Sequence, residues 1–267
     1  MKVLLFGSSG MLGHYVHKIV SSSNEVICLS RKDFDICSDS WERLTDIVNS
    51  MLNDGDIIIN CAGSIPQKYN LDNYNQFIRV NTLFPHKLNE ISKHNRYKFI
   101  HITTDCVFDG KEGNYSLNHT HNATDIYGIS KSLGEPDDYA TIIRTSIIGE
   151  ELTGKRSLIE WIKSNRGKSI NGFTNHYWNG VTCLTVANII KKIIIDGCFW
   201  KGVRHIHSPD VLTKYEVCKF VNDIYELNIE ILPHEDKIMK NMTLSGENEF
   251  IVDNLYYQIK EQSQFQI

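Results

Sequence analysis

At 267 residues and 41% hydrophobic composition, the chain holds enough apolar material for one α/β domain, or one domain with a modest appendage. Its net charge of −4, from 28 basic and 32 acidic residues, gives no basic excess for nucleic acid and no polybasic run for a membrane surface. Seven scattered cysteines without a CxxC pair read as reduced thiols in a cytoplasmic protein, and no apolar run approaches the about 20 residues of a membrane span.

Lys2 to Phe6 predicts a short apolar strand, followed by Gly7-Ser8-Ser9-Gly10-Met11-Leu12-Gly13 and an amphipathic stretch to Val20. That is strand, glycine turn, helix, with GxxGxxG in the turn. Glycines let the backbone approach a pyrophosphate, and the N–H groups and dipole of the following helix then face it. Gly7, Ser9, Gly10, Met11, Leu12 and Gly13 are therefore candidate dinucleotide-binding residues; the alternative is an ordinary turn that uses glycine for geometry. Glu25 to Leu29 reads as the second strand. Arg31 lies just past its end, where an acidic residue would bind the 2′-hydroxyl of NAD and an arginine can accept the 2′-phosphate of NADP. The basic Arg31-Lys32 pair favours NADPH, with NADH as the alternative because Asp33 adjoins it. Asp35 and Ile36 are placed beside the adenine.

Asp39 to Met51 has helical spacing, and Asp56 to Asn60 is a buried strand ending in Cys61-Ala62-Gly63, small residues that leave room for a cofactor. Ser64 to Asn75 is a polar loop placed near the substrate. Gln76 to Lys93 is a long helix with Asn81 among its apolar residues. Tyr97 to Ile102 is a strand running into Thr103-Thr104-Asp105-Cys106-Val107-Phe108-Asp109-Gly110. Lys111 to Asp125 is a polar loop, in which His119 and His121 lack a third ligand at metal spacing and are read as surface residues; no metal site is expected. Tyr127-Gly128-Ile129-Ser130-Lys131 opens the next helix, and Ala140 to Arg144 is the next strand. Ser157 to Asn165, Leu184 to Ile195 and Lys214 to Leu227 are helical, and Gly202 to His207 is expected as the last strand. The alternation predicts an α/β fold with a doubly wound parallel sheet.

Three features could combine chemically. The glycine turn holds a hydride donor, Thr104 follows a strand's carboxyl end, and Tyr127 and Lys131 share one helical face at i and i+4. Reduction of a ketone requires a proton at the developing alkoxide. Tyrosine, with an ordinary pKa of about 10, needs a neighbouring ammonium to work at neutral pH. Thr104 can hold the carbonyl oxygen by a hydrogen bond.

The motifs GSSGMLG, NCAG, TTDCVFDG, YGISKSLGE and IIRTSIIG resemble the extended short-chain dehydrogenase/reductase superfamily, and within it the dTDP-4-dehydrorhamnose reductase branch. The resemblance spans roughly residues 1 to 185. It implies a Rossmann-type doubly wound sheet with a small C-terminal substrate lobe: residues 1–150 bind NAD(P), and 151–267 form mainly the lobe, with segments around 184–207 returning to the first domain. It implies NAD(P)H-dependent reduction of the 4-keto group of a nucleotide-activated 6-deoxyhexose, in deoxysugar or surface-polysaccharide synthesis. Thr104, Tyr127 and Lys131 would be catalytic. Cys61, Ala62 and Gly63 would pass beside the cofactor, which Tyr127 and Lys131 would also touch. Thr104, Cys106, Val107, Trp178 and Asn179 would face a nucleotide-sugar substrate. No nucleic-acid or membrane partner is implied, and a homodimer is left open.

The sequence departs from that branch at Ile147-Ile148, where an aromatic residue is usual, and at Asn175 to Thr182. These segments look closer to reductases of UDP-linked 2-acetamido-2,6-dideoxy-4-hexuloses. Cys106 has the offset from Thr104 that bifunctional 3,5-epimerase/4-reductases such as GDP-fucose synthase use for a proton-abstracting cysteine, with His176 or Lys168 as the opposite acid. An inert buried cysteine is the alternative. A non-catalytic NADP-binding regulatory subunit is a third reading, against which the intact triad and glycine turn argue.

Overall fold

Apolar runs buried on both faces set the frame. The structure, a computed structural model, describes residues 1–66, 72–154, 156–247 and 249–266. The strands are β1 (Lys2–Phe6), β2 (Glu25–Leu29), β3 (Ile57–Asn60), β4 (Lys98–Thr104), β5 (Thr141–Thr145), β6 (Ile147–Ile148), β7 (Ser169–Phe173), β8 (His176–Trp178), β9 (Val181–Thr182), β10 (Gly202–His205), β11 (Leu212–Thr213), β12 (Glu230–His234) and β13 (Lys240–Asn241). The helices are α1 (Gly13–Val20), α2 (Trp41–Met51), α3 (Tyr74–Phe77), α4 (Phe84–Asn95), α5 (Ile126–Ser132), α6 (Leu158–Lys163), α7 (Cys183–Asp196), α8 (Lys214–Ile224) and α9 (Leu255–Gln264).

Six parallel strands form the main sheet in the order β10-β5-β4-β3-β1-β2. Successive residues of β1 serve opposite layers, as strand geometry requires. Val3 and Leu5 join Ile57, Ile59, Ile100 and residues of α1 and α7, whereas Leu4 and Phe6 join Ile58, Phe99 and residues of α2 and α4. The doubly wound α/β reading therefore holds. β2 and β3 lie on opposite sides of β1, so the chain reverses its direction of winding there. Beyond the carboxyl ends of β1 and β3 lies the crevice in which such sheets bind ligands.

Two elements differ from expectation in ways that matter for the site. β4 continues two residues past Ile102, so Thr104 is paired in the sheet opposite Thr145 instead of sitting in a loop. The long helix begins at Tyr74 and carries a wider π turn at Ile78–Leu83 before α4. Pro85 has no N–H to give to the carbonyl of Asn81 four residues back, which removes one α-helical bond at that turn.

Beyond β5 the chain builds a second layer from short strands. β7 pairs with β12, β11-β8-β13 form a small sheet, and β6 pairs with β9. Gly202–His205 is the edge of the main sheet, but it is not the last strand: β11, β12 and β13 follow it. The lobe has its own core, including Ile148, Ile159, Ile162, Ile170, Trp178, Val217, Val221 and Leu255. α7 packs on α1 and lines the main sheet.

Candidate active site

The glycine turn shows three different reasons for glycine. Gly7 has φ +79°, and a β-carbon there would lie 2.6 Å from the nitrogen of Ala62. A β-carbon on Gly13 would lie 2.0 Å from the carbonyl oxygen of Gly7, so this glycine lets α1 press on the turn. At Gly10 a β-carbon would meet only that oxygen, at 3.2 Å, and otherwise open space. Among the described residues, the N–H groups of Met11 and Leu12 have no acceptor, whereas Gly10 N–H is bonded to the Gly7 carbonyl at 2.9 Å. Free amides at a helix start beside an open glycine suit a pyrophosphate. Across the crevice, Asn60 fixes the end of β3: its Oδ1 accepts the Ala62 N–H at 3.0 Å, and its amide lies 3.2 Å from His101 Nδ1. Cys61 is held as a neutral thiol, its pKa pushed up to about 12 by burial, and Gly63 keeps its α-carbon open toward Asn81.

Thr104 ends β4 and caps a 3₁₀ turn at Asp105–Val107, its hydroxyl oxygen accepting the Cys106 N–H at 3.2 Å. The same hydroxyl donates to Asp105 Oδ1 at 2.9 Å. Asp125 caps α5 by accepting the Gly128 N–H at 2.9 Å. A β-carbon on Gly128 would lie 2.2 Å from the Cys106 carbonyl oxygen, so this glycine lets α5 lie directly on the turn and brings Tyr127 to Thr104. Burial raises the Tyr127 pKa, Cys106 and Asp105 add to that rise, and the Thr104 hydroxyl opposes it. Lys131 is buried and donates to the Ile102 carbonyl at 2.8 Å. Its pKa is brought down to about 8 by burial, against the opposing pull of the Glu135 carboxylate. Thr104, Tyr127 and Lys131 thus converge where β4 ends and α5 begins.

The remaining candidates divide. Arg31 is exposed beyond β2. Asp35 accepts the Cys37 N–H at 2.9 Å, and the Ile36 carbonyl accepts from Arg79 Nε at 2.5 Å; both hold their own loop in shape. Cys106 is beside Tyr127, but burial and the Asp105 carboxylate push its thiol well above the ordinary range, contrary to what a proton-abstracting thiolate needs. His176 pairs with Asp236 at 3.0 Å and stacks on Phe173, and Lys168 is exposed. Val107 is fully buried with Phe108, Tyr115 and Leu244. Asn179 gives both side-chain heteroatoms to the backbone of Leu244, at 2.8 and 2.9 Å, and Trp178 is packed in the lobe core. The Ser64–Asn75 loop includes residues 67–71, which lie outside the described residues.

Two positioning groups escaped the sequence reading. Asn81, in the π turn, accepts the Ser64 N–H at 2.8 Å and donates to Ser130 Oγ at 3.0 Å, tying the end of β3 to α5. Its only signal was a polar residue in an apolar helical face. The second is Arg144, which forms a buried ion pair with Glu135 and also reaches His205 at 3.0 Å and His121 at 2.7 Å. His121 is therefore not a surface residue: it is half-buried and lies 2.6 Å from Ser132 Oγ on α5, while His119 lies 2.9 Å from Ser116 Oγ. Among the described residues no group of three His, Cys, Asp or Glu side chains could hold a metal ion, and no helix is long and apolar enough to cross a membrane.

A family model described as the RmlD substrate binding domain matches residues 1–237. The chain belongs to this family. Two curated relatives are similar to it, both described as dTDP-4-dehydrorhamnose reductase. One, from Mycolicibacterium smegmatis, is 26% identical over 54% of this chain and 45% of its own length. The other, from Aggregatibacter actinomycetemcomitans, is 24% identical over 80% of this chain and 76% of its own length. The chain thus spans less than half of the first relative. Solved structures described as dTDP-4-dehydrorhamnose reductases share the fold. That from Clostridium acetobutylicum has a TM-score of 0.83 at 19% identity, and that from Bacillus anthracis, in complex with NADP, has 0.84 at 17%; each comparison covers 98% of both chains. The main sheet of this RmlD-family chain is thus a Rossmann-type doubly wound sheet.

Proposed function

We propose that this chain uses NADPH to reduce the 4-keto group of a nucleotide-linked 6-deoxyhexose. A dTDP-linked sugar is the first candidate because both curated relatives are described by that substrate. The observation that carries the reading is the convergence of Thr104, Tyr127 and Lys131 at the carboxyl end of β4, the strand beside β3. The glycine turn fits the cofactor: Gly10 leaves open space, and the Met11 and Leu12 amides are free among the described residues. NADPH, when bound, supplies the hydride.

The protein's part is proton delivery and positioning. The Thr104 hydroxyl turns from Asp105 to the substrate carbonyl oxygen and holds it. The Tyr127 O–H gives its proton to that oxygen as negative charge develops. The phenolate left behind is stabilised by the Lys131 ammonium, fixed in place by the Ile102 carbonyl, and is reprotonated from solvent. Cys106 and Val107 follow Thr104 on the same turn. The state of Cys106 supports a reductase without epimerisation.

Tyr127→Phe tests this assignment. It should lower kcat for a dTDP-4-keto-6-deoxyhexose by about 10²-fold or more, the scale of a lost general acid, with NADPH affinity unchanged by fluorescence titration. Substantial activity in the variant would remove Tyr127 from the reaction.

A further inference from the structure

Lys214 is an unusual place for a cation. It is the first residue of α8, whose start is fixed by a capping box: Thr213 Oγ1 accepts the Glu216 N–H at 3.2 Å, and the Glu216 carboxylate accepts the Thr213 N–H at 2.7 Å. A positive charge there opposes the helix dipole. The side chain is half-buried, with Nζ 4.5 Å from the centre of the Trp178 ring. Among the described residues the ammonium has neither a hydrogen-bond acceptor nor an ion-pair partner, although it carries three donors. Its electrostatic neighbours are Asp105, Cys106 and Cys218, and burial lowers its pKa against the pull of Asp105. Asp105 and Cys106 are also the groups that face Tyr127.

Helix position, burial and unused donors all disfavour this ammonium in the protein by itself. The Trp178 ring gives the charge one favourable contact, and a ligand oxygen would give its N–H donors an acceptor. Lys214 comes from the lobe, and the Trp178 ring under its ammonium lies against Gly180 together with the carbonyl of Ser146, the residue after Thr145, which pairs with Thr104; that places the ligand group toward the reacting end of the sheet. The phosphates would lie elsewhere, at the glycine turn for the cofactor.

We infer that Lys214 is a specificity-determining substrate-binding residue, donating from the lobe to an oxygen substituent of the sugar ring while Thr104 and Tyr127 hold the keto oxygen from the main sheet. This rests on the proposed reductase function. Trp178, expected from sequence to touch substrate, instead supplies the ring against which the lysine lies. Asp105, buried and accepting from Thr104 and Cys106, lowers the electrostatic penalty of holding the cation before substrate arrives.

The test uses the full chain, dTDP-4-dehydrorhamnose, the sugar nucleotide in the curated relatives' description, with dTDP and NADPH. Lys214→Met keeps an apolar stem over Trp178 and removes the donors; Lys214→Arg restores a charge. In Lys214→Met, KM for the sugar nucleotide should rise about tenfold or more, as expected for a lost hydrogen bond from a charged donor. kcat should change far less, and calorimetric affinities for NADPH and dTDP should stay the same. Lys214→Arg should recover most of the loss. Calorimetry with the sugar nucleotide in a Tyr127→Phe background should show the same loss without turnover. An unchanged KM, with only a lower Tm, would make Lys214 a counter-charge for Asp105 and overturn the inference. Equal losses for dTDP would place it at the phosphates and also overturn it. If the wild type neither binds nor reduces a 4-keto sugar nucleotide, the reductase reading itself fails and takes the inference with it, an outcome distinct from a normal wild type with a silent Lys214→Met.

Discussion

Lys131 shows what a single position in the candidate site demands. It is 6% exposed and its ammonium is held by one backbone carbonyl, so burial brings its pKa from 10.5 to about 8. A base whose folded pKa lies below its unfolded value binds fewer protons when folded over the interval between them. Folding is therefore penalised below about pH 8, and the penalty is relieved as pH rises toward the unfolded value. Urea unfolding of wild type and Lys131→Met at pH 7.5 and 9.5 isolates this effect. Wild-type stability should rise relative to the variant by about 2 kcal/mol between the two pH values, at about 1.36 kcal/mol per pKa unit. A constant difference would mean that Lys131 titrates as an exposed lysine. The same residue marks the limit of the sequence reading. YxxxK placed Tyr127 and Lys131 on one helical face, but its spacing could not show that the lysine is anchored to Ile102, nor that burial moves Cys106 away from the thiolate. Those follow from what surrounds a side chain.

At the scale of elements, the first βα unit was legible because its glycines are tied to turn geometry, whereas the lobe was not. Strands such as Ile147–Ile148, Val181–Thr182 and Leu212–Thr213 have two residues each, too few for an alternation to register, and they pair with partners distant in sequence. The π turn was hidden for another reason. Its residues have helical periodicity, and only Pro85, read together with the Asn81 carbonyl four residues earlier, marks the change. The three glycines of the first turn allow packing to be separated from ligand binding. Gly13→Ala forces a β-carbon against the Gly7 carbonyl and should lower stability by about 2–3 kcal/mol in urea unfolding. Gly10→Ala has only a 3.2 Å contact to relieve and should leave stability within about 1 kcal/mol of wild type. It nonetheless places a methyl group where the pyrophosphate is expected to pass, so NADPH affinity should fall about tenfold or more, by roughly 1.4 kcal/mol or more. Intact NADPH binding in Gly10→Ala would move the phosphates away from this turn.

The whole molecule is joined by its last helix. α9 belongs to the lobe core through Leu255 and Ile259, yet its two buried glutamines reach the junction of β9 with α7, a helix of the main domain. Gln258 Oε1 accepts the Thr182 N–H at 3.0 Å and the Thr185 hydroxyl at 2.9 Å, while Gln262 Oε1 accepts the Leu184 N–H at 3.2 Å. Orphan amides at the start of a buried helix need acceptors, and here the C-terminal segment provides them. By tying α9 to the start of α7, this joint fixes the lobe core against the main domain. Gln258→Leu preserves much of the side-chain volume but leaves the Thr182 N–H buried without its partner, which costs about 1–3 kcal/mol. Denaturant unfolding should show that loss as a lower midpoint in one transition with an unchanged m-value, because the joint weakens while both layers still unfold together. Separate transitions followed by the fluorescence of Trp41 in the main domain and Trp161 in the lobe would show instead that the layers are stable without it. KM for the sugar nucleotide should then rise with NADPH affinity preserved, since the glycine turn lies wholly within the main sheet layer and the proposed sugar contacts span both.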